Sequence, residues 1–275
     1  MISFMIKCKY IGSDYMSMIK IGTINLKNDE VNRNGGLRSD GVSNARIIAD
    51  HIINEKFDIL GTQEMTRKFS KIIKEYLKDY NLYGGYRYGN NIFSRHIRLI
   101  KMYNENNNII TNKKVLKQKT KVLPFIPSKL RDLKYILKHK IFMIRILTIV
   151  FIKIDGYIIC SMNTHLSYKV PSLQKRQLKY LLKKIEKYQK KYKVILTGDF
   201  NMEVGNRYFD EFNQKLEILK MKKIDIIDKT NSNKFKTKTA IDHIYIPSKW
   251  KVIDKGIKKM DEVTDHLEVY AKVSL

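Results

Sequence analysis

The sequence predicts an α/β fold, and three observations predict it. Short apolar, β-branched runs such as residues 57–62 (FDILGT) and 194–197 (VILT) alternate with stretches whose apolar residues recur at helical spacing. The strand-like runs end, one after another, in polar residues with chemistry to offer. The length of 275 residues, with 43% hydrophobic and 29% charged residues, suits one large packed α/β domain rather than a disordered chain.

Residues 20–26 (KIGTINL) read as the first strand, with Asn25 at its end. Ser43 stands where it can cap a helix running to about Lys56, with Ala45, Ile48, Ala49, Ile52 and Ile53 on one face. Residues 57–62 form a buried strand with Gln63-Glu64 at its exit, and 66–79 a second helix with Ile72, Ile73 and Leu77 as its apolar stripe. Residues 90–94 read as a short strand or rim segment, followed by Arg95 and His96. Residues 104–140 are the least regular part and read as a basic, insertion-like region. Within it 128–139 can form a helix with Leu130, Leu133 and Leu137 on one side.

Residues 141–154 and 157–163, joined by Asp155-Gly156, carry the strongest hairpin signal, because Asp-Gly suits a two-residue turn with positive φ. The first run is interrupted by Arg145 and Lys153 and is too short to span a bilayer. His165 follows the second. Residues 172–188 form an amphipathic helix through Leu178, Leu181, Leu182 and Ile185. After 194–197 comes Gly198-Asp199-Phe200-Asn201. An extended chain there would send Asp199 and Asn201 to the same side, where a carboxylate and a carboxamide could activate and orient a water. The competing reading is an Asp-initiated turn with Asn201 in the left-handed region. A helix over 207–219 and strands over 240–246 and 267–273 close the chain, with Asp242 and Asp265-His266 at the heads of the strands.

Residues 19–275 read as a single domain, and 1–18 as a leader or an over-extended start, since Met16 and Met18 stand just before the first strand. The N-terminus has no secretory pattern, which makes a cytoplasmic location the expectation. Cys8 and Cys160 do not suggest a disulfide framework. The net charge is +27. Two blocks, 112–140 and 169–193, each hold ten Lys/Arg against one acid and together carry +18 of it. Charge so concentrated draws an anionic polymer or surface, or simply keeps lysine faces solvated.

Glu64 and Asp265 are hard oxygen ligands to which Asn25 can add a carbonyl, a set suited to Mg²⁺ with Mn²⁺ as a substitute; no cysteine cluster or HExxH suggests structural zinc. Histidines among carboxylates suit a phosphate ester, whose developing oxyanions need positive or proton-donating groups. Asp242 can bond the far nitrogen of His266, fixing its tautomer and raising its pKa. Strand alternation turns His243 to the opposite face, which makes it structural.

The ordered set Asn25 in TIN, TQE at 62–64, NTHLS at 163–167, GDFN at 198–201, IDHIY at 241–245 and TDHL at 264–267 resembles the endonuclease/exonuclease/phosphatase superfamily, which includes deoxyribonuclease I, neutral sphingomyelinases and inositol-polyphosphate 5-phosphatases. The resemblance implies a four-layer α/β sandwich of two packed mixed β-sheets flanked by helices, with the site at one rim. It implies Glu64 as the main metal ligand beside Asn25 and Asp265, and Asp199 as the base for the attacking water. Asn201 would position the water or the phosphate, and His266, paired with Asp242, would stabilise the transition state. His165 would contact phosphate or protonate the leaving group. Thr264 stands where the family usually has serine. Asn90 or Asn91 stands where several relatives place a glutamate that orients the second histidine. Arg95 is a candidate phosphate contact and, with Asn90, a candidate substrate-binding residue.

The implied activity is Mg²⁺-dependent phosphoester hydrolysis by a monomer, with nucleic acid as the expected substrate. The alternatives are a sphingomyelinase-like or phosphoinositide-directed enzyme at an anionic phospholipid surface, for which the apolar 122–127 set among lysines is suited, and a non-catalytic basic binding protein on the same fold.

Overall fold

The computed structural model describes residues 17–28, 32, 36, 43–89, 104–139, 144–226, 240–260 and 263–275. Asn90, Asn91 and Arg95 lie outside them, as does the expected rim segment at 90–94. Among these residues, two six-stranded mixed sheets pack face to face and are flanked by five helices.

The first sheet has the order β11-β12-β1-β2-β4-β3, from β1 (Met18–Asn25), β2 (Ile59–Met65), β3 (Asn81–Tyr83), β4 (Asn106–Thr111), β11 (Lys251–Lys258) and β12 (Glu268–Ser274). The second has the order β5-β6-β7-β8-β10-β9, from β5 (Lys114–Val122), β6 (Ile146–Ile154), β7 (Tyr157–His165), β8 (Lys193–Asp199), β9 (Met221–Lys223) and β10 (Asp242–Pro247). Each sheet contains one parallel pair, β1 with β2 and β7 with β8. Each pair is joined by a helical crossover, α1 (Asn44–Glu55) and α4 (Pro171–Gln189) respectively. The other helices are α2 (Arg67–Tyr76), α3 (Leu130–His139) and α5 (Arg207–Ile218).

Three apolar layers follow from strand alternation. Ile19, Ile21, Ile59 and Ile109 of one sheet meet Val150, Ile152, Ile195 and Ile244 of the other. The outer face of the first sheet packs on Ala45, Ile48 and Ile52 of α1 and Phe69 and Ile73 of α2. The outer face of the second packs Cys160, Met162 and Leu196 against Leu178, Leu181 and Ile185 of α4 and Phe209 and Phe212 of α5. The Asp155-Gly156 turn has φ of +44° and +83°, as its residues demand. Ser43 is at the N-cap of α1 but makes no side-chain capping bond.

The region read as least regular is where the structure differs most from expectation. It supplies β4, paired with both β2 and β3, and β5, the edge partner of β6, before α3. Asn-rich NNNIIT and Lys-rich KVLKQKTKV have poor strand propensity, and sheet pairing overrides it. The short β3 and β9 and the lysine-bearing β11 also went unread. Among the described residues no helix is long and apolar enough to cross a membrane.

Candidate active site

Parallel strands leave a sheet at the same edge, and an antiparallel neighbour enters there. Asn25 and Glu64 therefore emerge together from β1 and β2, and His165 and Asp199 from β7 and β8, where they stand in register. Asp242 opens β10 directly opposite Asp199, and His266 lies two residues before β12. The two sheets are pinned beneath this rim by the buried Gln63 and Asn163. Gln63 Nε2 donates to Asn163 Oδ1 at 2.8 Å, and Asn163 Nδ2 to the carbonyls of Thr62 and Asn108. The rim residues themselves bridge the sheets, Asn25 Nδ2 donating to Asp199 Oδ2 at 2.9 Å.

Asp199 and Asn201 do come together, but through the turn rather than an extended chain. Asp199 Oδ1 accepts from the Asn201 backbone N–H at 2.8 Å, and Asn201 has φ of +50°. This brings the Asn201 amide to 2.9 Å from His165 Nε2. Asp199 Oδ2 lies 3.6 Å from the same nitrogen. Glu64 also has a left-handed backbone, φ +60°, where the β2–β4 register shifts, and its Oε1 lies 3.7 Å from His165 Nδ1. Strained conformations held at a rim by the surrounding network are typical of working sites. Thr264 Oγ1 donates to Asn25 O at 2.7 Å and accepts from His266 N at 3.2 Å, a role its hydroxyl fills as a serine would.

His266 Nδ1 lies 2.8 Å from Asp242 Oδ2. Burial pulls the His266 imidazole down, but Asp242, helped by Asp199 and Asp265, more than offsets it and carries the group up to about 10. Burial pushes the Asp199 carboxyl up, Asp242 adds to this, and it reaches about 7 despite the bonds from Asn25 and Asn201. At neutral pH the rim thus presents a cationic imidazole beside a carboxylate poised to take a proton. His165 is driven the other way, well below the ordinary imidazole value, by burial and by Arg145 and Arg87. His243 is turned away as alternation requires, stacked on Phe209 at 4.8 Å, with its pKa lowered to about 3 chiefly by burial.

One group of acids and histidines among the described residues can hold a cation. Asp199, Asp242 and His266 offer ligand atoms within 4.8 Å of one another, and the His266–Asp242 bond leaves Asp242 Oδ1 without a partner. Glu64, Asn25 and Asp265, the set expected from the sequence, stand at the same end of β2, β1 and β12. Asn25 Oδ1 accepts from Lys27 N and has a second lone pair to offer, and Glu64 Oε2 accepts from Asn28 N. Asp265 Oδ2 holds the Lys27 ammonium at 2.8 Å, a cation already drawn to this place. Carboxylates and a carbonyl fit a hard divalent ion.

Three buried charged residues at the rim were missed in the sequence. Arg145 Nη1 lies 2.8 Å from His165 Nδ1, and Arg87 Nη2 lies 3.4 Å from it. Arg87 pairs with Glu105 at 2.5 Å, and Glu105 also accepts from Asn28. The available signal was Arg145 itself, a charge inside an otherwise apolar strand-like run. Arg87 and Glu105 carried none.

Two mixed sheets packed face to face, with carboxylates, imidazoles and amides gathered on one rim, define the deoxyribonuclease I-like class of α/β sandwich hydrolases. The chain belongs to the endonuclease/exonuclease/phosphatase family, whose model matches residues 22–266; it is a family of metal-dependent phosphoesterases. Its fold is similar to that of a family member from Bacteroides thetaiotaomicron (TM-score 0.70, 21% identity, 94% of this chain and 97% of that one). It is similar to a mannosyl-6-phosphatase of the same organism (0.70, 20%, 94% and 100%), and to D. rerio TDP2 complexed with single strand DNA product (0.67, 17%, 94% and 100%). Comparison of the sequence with curated proteins finds no match.

Proposed function

We propose that the protein is a Mg²⁺-dependent phosphodiesterase acting on nucleic acid. The observation that carries the hydrolytic chemistry is the bonded rim of Asn25, Asp199, Asn201 and His165 beside the His266–Asp242 pair. Asp199, with its carboxyl near 7, takes the proton of the attacking water, and Asn201 orients the reacting groups. His266, cationic and held through Nδ1, turns its Nε2–H to the phosphoryl oxygens as their charge grows. Glu64, Asp265 and Asn25 hold the divalent ion, which when bound supplies Lewis-acid stabilisation of the phosphate.

Charge supports nucleic acid as the substrate. The β5 edge carries Lys114, Lys117, Lys119 and Lys121, and its end pairs with Ile146, next to Arg145. The test is a panel of plasmid, single-stranded DNA, RNA, sphingomyelin and phosphoinositides, with Mg²⁺ and with EDTA. Replacing Lys117, Lys119 and Lys121 by Gln should lower DNA cleavage about tenfold and flatten its salt dependence, while hydrolysis of bis(p-nitrophenyl) phosphate is unchanged. Equal loss on both substrates overturns the nucleic-acid reading.

One observation favours a second reading, a phospholipid headgroup at an anionic membrane. Phe125, Ile126, Leu130 and Leu137 are all more than half exposed, and Leu130 and Leu137 share one face of α3 among Lys129, Arg131, Lys134 and Lys138. Co-sedimentation with phosphatidylserine vesicles that is insensitive to F125S/I126S rules this reading out.

A further inference from the structure

Both nitrogens of the His165 ring face hydrogen-bond donors. Arg145 Nη1 lies 2.8 Å from Nδ1, with Arg87 Nη2 at 3.4 Å and Glu64 Oε1 at 3.7 Å from the same nitrogen, and the Asn201 Nδ2 group lies 2.9 Å from Nε2. A neutral imidazole has one bare nitrogen and one N–H, so it can accept on one side only. The two donors are not equivalent. A guanidinium has no acceptor atom, and Arg145 stays charged through the neutral range, burial lowering it only to about 10. A carboxamide carries an oxygen beside its NH₂ and can turn end for end, here giving up the 3.0 Å bond from Nδ2 to Leu166 O. Of the two contacts, the one that cannot be reversed is the one from Arg145.

The setting of Arg145 points the same way. It is 5% exposed, its Nε has no partner, and no carboxylate lies within ion-pair distance of it among the described residues. Arg87 beside it is paired with Glu105. A buried guanidinium without a carboxylate is costly. A purely structural arginine would take the pairing that Arg87 has; this one is spent on an imidazole nitrogen. Its backbone is fixed as well, since Arg145 O accepts from Leu123 N at 2.8 Å just before β6 begins.

We infer that Arg145 is a positioning residue: it holds His165 in the tautomer with bare Nδ1 and protonated Nε2, so that an uncharged N–H is aimed past Asp199 and Asn201 at a phosphate oxygen. This rests on the reading of the rim as a phosphoesterase site. Of the two roles open to His165, phosphate contact and leaving-group protonation, it selects the first. When a phosphate oxygen takes the Nε2 hydrogen, the Asn201 amide is free to turn back and regain its bond to Leu166 O.

The experiment is ¹⁵N NMR of the histidine-labelled protein at neutral pH, without metal or substrate, with the His165 ring assigned by its loss in H165Q. The expected spectrum shows Nδ1 bare and Nε2 protonated. In R145M, which keeps length but cannot donate, the hydrogen should shift toward Nδ1, because Arg87, 3.4 Å from that nitrogen and paired with Glu105, is the weaker donor there and the Asn201 amide at 2.9 Å then outweighs it. R145M should also lower kcat/KM on a small phosphodiester about 10- to 100-fold, the usual effect of removing such an outer partner, and R145K should keep the wild-type tautomer and most of the rate. A wild-type ring protonated on Nδ1, or an R145M ring unchanged from wild type, overturns the inference. The wild-type spectrum needs no variant to fold. It is also read without turnover, so a protein that cleaves no phosphoester yet shows the expected tautomer refutes the proposed function, with the phosphate contact that rests on it, and leaves the hold of Arg145 on the His165 tautomer standing.

Discussion

Replacing Asp242 by Asn tests the electrostatics of the rim at a single atom. The substitution keeps the shape of the side chain and an oxygen for the His266 Nδ1–H, but removes a buried negative charge 2.8 Å from that nitrogen. Asp242 is the main group raising His266 to about 10 from an ordinary 6.5 against the downward pull of burial. Without it the imidazole should fall back toward 6.5. At pH ~8 the protonated fraction then drops from about 99% to about 3%, a loss of about 30-fold or ~2 kcal/mol in transition-state stabilisation. Asp242 is also the second cause, after burial, of the raised Asp199 carboxyl. The acid limb, set by Asp199 near 7 in the wild type, should therefore move down together with the alkaline limb near 10. The assay is kcat/KM for bis(p-nitrophenyl) phosphate with saturating Mg²⁺ across this range. Linkage gives an independent check. A raised histidine stabilises the fold fully below its unfolded value of about 6.5 and loses this as pH rises through about 10, so D242N should destabilise at low pH and converge with wild type at high pH. An alkaline limb that stays near 10 in D242N refutes the assignment of that limb to His266.

Two further perturbations probe the frame and the ion. Gly198 has φ of +151° and a Cβ there would lie 2.2 Å from Thr164 O, so G198A must push β8 off β7 where Asp199 faces His165. A displacement on the order of 1 Å at reacting groups costs about 10²-fold; near-wild-type activity in G198A would show that the β7–β8 spacing does not set the site. Mg²⁺ should raise the melting temperature of the metal-free protein, by the equivalent of about 2.7 kcal/mol at a hundred times its Kd. E64A should abolish both this shift and activity, and an undiminished Mg²⁺ shift in E64A would place the ion elsewhere.

Legibility in the sequence tracked how local each determinant is. The hairpin at Asp155-Gly156 and the α4 stripe depend on neighbours a few residues apart, and both form as their patterns require. Asp199-Phe200-Asn201 was ambiguous because a strand and an Asx turn place the same two side chains near each other by different routes; the turn operates, and it delivers Asn201 to His165. The pattern could not supply β4 and β5, since Asn and Lys become strand residues only when a sheet is there to pair with. Nor could it show that Leu130 and Leu137 face outward: their spacing marked a helical face, and only the packing of Ile136 against Val170 and Leu173 shows that the other face is buried.

The missed charges have a common topological cause, which turns the rim into a rule. Each sheet holds a parallel pair flanked on both sides by antiparallel strands: β12 and β4 beside β1 and β2, β10 and β6 beside β8 and β7. Four strands run out to the rim and four run inward from it. The outgoing strands end in Asn25, Glu64, His165 and Asp199. The incoming strands begin at or just after Glu105, Arg145, Asp242 and His266. All eight positions carry a polar or charged side chain, and all eight are joined by hydrogen bonds or close ion pairs to another rim group or to the residues beside it. Reading strand ends found the four outgoing positions, together with Asp242 and His266, whose strands are clear in the sequence. Glu105 escaped because it borders a strand hidden by Asn-rich sequence, and Arg145 because the run 141–154 placed it inside a strand rather than just before the start of β6. Once the pairing is known their place in the site is dictated by topology, because an antiparallel partner of a site-bearing strand must begin where that strand ends.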